Sequence, residues 1–178
     1  MKQWNVVVTV TEHAWREAKA FAAGFGQTAA SDFHDVLLLN VADIDRLLAD
    51  LAAAAGADGK LPHGIAHVYP LRRIFSFATP REFESKARAI VVELAAGLAG
   101  KTFHARVHRR GFKGKISSHD EERMLDTAVL EASPADARPR IRFDDPDAVI
   151  DVELVGNRAG MSLWTRDELR AYPFIRID

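Results

Sequence analysis

The residues best suited to chemistry lie between Lys101 and Ser118. Lys101, Arg106, Arg109, Arg110, Lys113 and Lys115 fall in this segment with no Asp or Glu among them, a local charge of +6. The whole chain of 178 residues has a formal net charge of −1, so the remainder carries −7. A basic stripe on an acidic molecule attracts polyanions at one place without making the whole surface adhesive. In an extended segment alternate side chains project about 6.5 to 7 Å apart, comparable with the phosphate spacing along a single nucleic-acid strand. Arg106, His108 and Arg110 can therefore follow a phosphate backbone, and Arg109 faces the other way unless the strand end re-aims it. Six basic residues without a compensating acid weigh against reading the run as an ordinary solvated face.

Gly111-Phe112-Lys113-Gly114 follows the stripe. Its GxxG pattern lets backbone approach a phosphate closely, and the helix predicted after it offers free amides to an anion. Phe112 fits either a base-stacking platform or a core position. His104 and His108 share the basic face, so an RNA-cleaving acid and base can be imagined, but phosphate contacts or plain surface histidines explain them better. His63 and His67 flank a Gly-Pro loop and lack a third ligand, which favours exposure over metal binding. Asp144, Asp145 and Asp147 have the chemistry of a turn more than of a cation site. No P-loop, GxGxxG after a strand, GxSxG elbow or HExxH is present, so no catalytic residue, metal or cofactor is expected.

These residues need elements to position them. The chain is 48% hydrophobic, long enough for one domain or two small ones, and without cysteine it can form neither a disulfide nor a cysteine–zinc site. Met1 to Glu12 lacks the basic start and apolar run of a signal peptide, and a cytoplasmic protein is expected. Gln3 to Val10 reads as a strand, Thr11 as the cap of a helix to Ala23, and Phe25–Ala30 with Phe33–Val41 as a hairpin. A helix starts at Asp43, and an extended stretch runs from Ile65 to about Phe77, interrupted at Pro70. Strand, helix, strand, strand, helix, strand is the split βαβ plan of a ferredoxin-like unit.

A second unit opens at Thr79-Pro80-Arg81-Glu82, an N-cap with a capping-box glutamate. In the strand from Lys101 to Arg110, Phe103, Ala105 and Val107 face a core while His104, Arg106, His108 and Arg110 face outward. Ser118, with Glu121 as box partner, caps a helix to about Ala132. Extended Arg140–Phe143, the turn Asp144–Asp147 and a hairpin about Gly156-Asn157 close the unit. An α+β chain is predicted, with a ferredoxin-like unit over 1–78 and an α/β unit over 79–178.

The second unit resembles a THUMP domain. The likeness rests on its element order, on Thr102-Phe103-His104-Ala105-Arg106-Val107-His108-Arg109-Arg110-Gly111, and on Pro146-Asp147 leading into Val149-Ile150-Asp151-Val152-Glu153-Leu154. The resemblance implies an RNA-binding module of tRNA modification that recognises the acceptor stem and 3′ end, and the first unit is similar to the ferredoxin-like domain that commonly precedes THUMP. Overall the chain is similar to THUMP-only adaptors of tRNA cytidine acetylation. That implies tRNA, rather than DNA or a membrane, as ligand, and a separate modifying enzyme such as an acetyltransferase as partner. With about 13 residues after the final strand, no fused catalytic domain is expected. The expected RNA contacts are Arg106, His108, Arg109, Arg110, Lys113 and Lys115. The rival expectation is a protein-interaction scaffold whose basic ladder meets an acidic partner.

Overall fold

A computed structural model describes residues 3–177. The fold is α+β and divides into two compact units, the first taking the chain through Arg72 together with Asp167–Arg176, the second Arg73–Arg166.

In the first unit β1 (Val6–Val10), α1 (Trp15–Ala22), β2 (Gln27–Ala30), β3 (Val36–Asn40), α2 (Ile44–Ala54) and β4 (Ile65–Pro70) follow in that order. The sheet is antiparallel with strand order β2-β3-β1-β4, the split βαβ arrangement that the element order predicts. Phe21 and Ala22 of α1 and Leu47 and Leu51 of α2 line one small void with Val8, Leu39, Ile65 and Val68, so both helices cover the same face. Asp43 caps α2 by accepting from the Arg46 N–H. Thr11 does not cap α1. Its N–H and hydroxyl both donate to the Gly64 carbonyl, at 2.8 and 3.2 Å, and the helix opens four residues later without a side-chain cap.

The second unit begins with β5 (Arg73–Ser76), which pairs with a strand more than 80 residues away instead of extending β4. It continues through α3 (Pro80–Leu94), a 3₁₀ turn, β6 (Thr102–Arg110), α4 (Ser118–Ala132), β7 (Arg140–Ile141), β8 (Ala148–Val155) and β9 (Arg158–Thr165); a short helix, α5 (Arg166–Ala171), follows. Strand order is β5-β9-β8-β6-β7, with β6 parallel to both neighbours. Phe103, Ala105 and Val107 of β6, Ile150, Val152 and Leu154 of β8, and Ala159 and Met161 of β9 form a core with Phe83, Ala87 and Val91 of α3 and Leu125, Ala128 and Val129 of α4. The alternation read in the sequence therefore places the even-numbered side chains of β6 on the face away from these helices. Thr79 caps α3, accepting from the Glu82 N–H at 3.2 Å, while the Glu82 carboxylate accepts from the Ala78 N–H.

Candidate nucleic-acid interface

The loop after β6 is built from its ends inward. Phe112, at φ 52°, packs on the core with its ring 5.0 Å from that of Phe77, and Ile116 is buried. Of the two roles open to Phe112 the core role is the one it takes. Its carbonyl accepts from the N–H groups of Lys115 and Ile116, closing a tight turn in which Gly114 adopts φ 75°. Lys113 and Lys115 are thereby held exposed at the tip. Ser117, one residue before the expected Ser118, caps α4 and accepts from the Asp120 N–H. Asp120 and Glu121 occupy the first turn of that helix and oppose an anion there.

The rest of the stripe is not an uncompensated cationic face. Two parallel strands bring Arg106 opposite Asp151 and His108 opposite Glu153. The Arg110 guanidinium donates to one Glu153 oxygen, and the other lies 2.6 Å from His108 Nδ1. Both carboxylates are fully buried. Burial, reinforced by neighbouring Glu153, pushes the Asp151 carboxyl well above the usual carboxylate range, with Arg110 and the Trp164 indole pulling weakly the other way. Arg106 lies 3.6 Å from Glu122 of α4, and the Arg109 guanidinium donates to the Gly111 carbonyl. His104 is buried under the Phe143 ring, 5.5 Å between centroids, and burial lowers its imidazole below the ordinary value. His104 and His108 stand four strand residues apart, roughly 13 Å, too far to share one proton relay.

Residues 77–163, nearly the whole of this unit, match the THUMP domain. The chain contains a THUMP domain. Such domains are associated with tRNA binding and modification. No curated protein matches the chain in sequence. Among solved structures, PH1313 from Pyrococcus horikoshii Ot3 is similar with a TM-score of 0.59 and 12% identity, over 90% of this chain and 54% of that one. A 4-thiouridine synthetase–RNA complex with bound ATP has a TM-score of 0.54 at 14% identity, over 92% and 42% of the two chains. TrmN from Thermus thermophilus has 0.52 at 15%, over 89% and 44%. At such identities the likeness is one of fold, and this chain spans about half the length of those structures or less.

The THUMP domain has a second basic run, outside the stripe singled out in the sequence. β7 pairs with only Thr102 and Phe103, and the chain around it exposes Arg138, Arg140, Ile141, Arg142 and Phe143. No hydrogen bond or ion pair holds the three arginine side chains among the described residues, and Phe143 is 70% exposed. The signal was present as Arg-Pro-Arg-Ile-Arg-Phe, in which arginine alternates with proline and apolar residues over a short span. The following Asp residues do serve a turn. Asp147 accepts from the N–H and hydroxyl of Thr102, both at 2.8 Å, and these bonds hold its carboxyl below the usual range, while Arg166 reaches Asp145 and Asp147. Of the other histidine pair, His63 is exposed beside Phe21 and His67 lies 3.4 Å from the Thr9 hydroxyl.

Beyond β7 the edge of β6 is covered by acids of α4. The Ala105 N–H donates to Asp126 at 2.7 Å and the Val107 N–H to Glu122 at 3.0 Å, so a sheet edge that would otherwise be open is satisfied by side chains. Burial pushes the Asp126 carboxyl up to about 7, and burial, with Glu84 and Asp120 nearby, does the same to Glu121. Both groups titrate near 4 when unfolded, so the folded state binds their protons more tightly. Their stabilising effect is complete below pH 4 and is lost as pH rises to 7 and beyond. Asp126→Asn, which keeps the acceptor for Ala105, should therefore leave stability at pH 4 nearly unchanged. At pH 8 thermal or urea unfolding should show a gain on the order of 2 kcal/mol.

Proposed function

We propose that this chain is a non-catalytic RNA-binding adaptor, whose THUMP domain holds the acceptor stem and 3′ end of a tRNA for a separate tRNA-modifying enzyme such as an acetyltransferase. The observation that carries the reading is a THUMP domain whose exposed cations stand at both ends of one strand: Lys113 and Lys115 after β6, Arg138, Arg140 and Arg142 beside its start. The ends of β6 lie roughly 26 Å apart, a span that suits several consecutive phosphates. Arg106, His108, Arg109 and Arg110 lie between them; because they already hold acids or backbone, they shape the RNA surface more than they supply free charge. Exposed Phe143 offers a face on which an unpaired base can stack. The association of THUMP domains with tRNA supports tRNA as the ligand, and a 4-thiouridine synthetase of similar fold is seen in complex with RNA. The ferredoxin-like unit would set the distance to the tRNA body or dock the enzyme.

Titration of the full chain with a tRNA transcript tests this. Affinity should fall by about two orders of magnitude or more between roughly 50 and 200 mM salt, as expected for several phosphate contacts. Removal of the single-stranded 3′ end should weaken binding at least tenfold, and the RNA should stay intact on long incubation. An affinity indifferent to salt and to the 3′ end would defeat the tRNA reading. An acidic protein partner that tRNA fails to displace would favour the scaffold instead.

A further inference from the structure

We infer that His108, Asp151 and Glu153 form a binding site for a divalent transition-metal ion of the zinc class within the THUMP domain. One ligand atom from each of the three lies within 4.8 Å of the others. His108 Nδ1 is 2.6 Å from a Glu153 oxygen and 3.9 Å from an Asp151 oxygen. Adjacent acids alone would be ordinary, but the state of Asp151 is not. Its carboxyl group is fully buried on the central strand β8, and neither oxygen accepts a hydrogen bond of ordinary geometry, the Trp164 indole being the one donor that acts on it among the described residues. An isolated carboxylate in such surroundings costs several kcal/mol unless a cation or donor meets it. Arg110 is committed to Glu153, and His108 stands beyond hydrogen-bond reach of Asp151. The nearby basic groups therefore bond one carboxylate directly and reach the other only at a distance, leaving it the weak pull of the Trp164 indole.

A dication between the three atoms answers both needs at once. It would take Asp151 as a direct ligand, use the Glu153 oxygen that does not face Arg110, and replace the hydrogen bond between His108 and Glu153. One imidazole nitrogen and two carboxylates, with no thiolate, select zinc, cobalt or manganese over magnesium or calcium, and three protein ligands leave a position for water. Entry is open at one end, because the His108 side chain is 27% exposed while both acids are sealed.

The full chain, stripped with a chelator and titrated with Zn²⁺ or Co²⁺ alone, tests the site. One equivalent should bind, raise the melting temperature, and give Co²⁺ the visible absorption of a low-coordinate nitrogen–oxygen site. His108→Gln and Asp151→Asn should each weaken binding at least tenfold and abolish the thermal gain. Asp151→Asn keeps the size and neutrality that burial favours at this position, so its metal-free form should melt no lower than the parent, which separates impaired binding from impaired folding. Absence of stoichiometric binding to the parent chain, or binding that survives both substitutions and so belongs to exposed histidines such as His63, would overturn the inference. Neither outcome decides whether the exposed Lys113, Lys115, Arg140 and Arg142 hold RNA.

Discussion

Replacing Lys113, Lys115, Arg140 and Arg142 together by alanine should lower affinity for tRNA by about two orders of magnitude at moderate salt and reduce the slope of log affinity against log salt by about 3. The size follows from counterion release: each phosphate that the protein no longer neutralises takes about 0.7 to 0.9 from the slope, and these four exposed side chains, which form no ion pair within 4.0 Å among the described residues, are the ones placed to neutralise phosphates. Because none of the four holds another residue, the variant should melt within a few degrees of the parent. The two pairs also divide the surface. Lys113/Lys115 and Arg140/Arg142 stand near opposite ends of β6, far enough apart for their effects to add, so each double variant should account for roughly half of the effect. Phe143→Ala gives a different signature. If a base stacks on that ring, affinity falls about tenfold while the salt slope is unchanged, since no phosphate is involved. A quadruple variant that binds with unaltered affinity and slope would move the RNA to another surface.

The basic stripe shows what could be read in one dimension. Strand β6, its alternation, the cap at Thr79, the Gly156-Asn157 hairpin and the Asp turn were legible, because each is written in residues close together in the chain. The compensation of the stripe was not. Glu153 lies 43 and 45 residues from Arg110 and His108, and only the parallel register of β6 and β8 brings them together. The same holds for β5, whose partner β9 lies far along the chain, and for the edge of β6, whose covering acids come from another element, α4. The cap of α4 failed for a smaller reason: Ser117 and Ser118 are chemically equivalent caps, and a shift of one turns Glu121 from a box partner into a buried acid. Charge counted along a segment therefore overstated what the stripe offers a ligand and overlooked arginines outside it.

That distinction predicts that Arg110→Ala acts on the fold before it acts on RNA. Arg110 is the cation bonded to a fully buried Glu153, and its removal leaves a carboxylate with only the His108 hydrogen bond and the acidic Asp151 beside it. Breaking a buried pair from one side costs about 3 to 5 kcal/mol, a large share of the stability of a domain this size. Urea unfolding should show that decrease, and reduced tRNA binding by the variant would then report unfolded protein. The partner substitution separates the two. In Arg110→Met with Glu153→Leu no charge is stranded, the repulsion on Asp151 is relieved, and His108, partly exposed, can turn to water. Stability should return to within about 1.5 kcal/mol of the parent, because volume-conserving apolar replacement of a buried ion pair is commonly neutral. If Arg110 also contacts phosphate, the refolded double variant will still bind tRNA more weakly, with a slope lower by about 1. If the pair is structural only, affinity returns with stability. A single Arg110→Ala variant as stable as the parent would contradict the reading of Glu153 as a charge held in the core by this arginine.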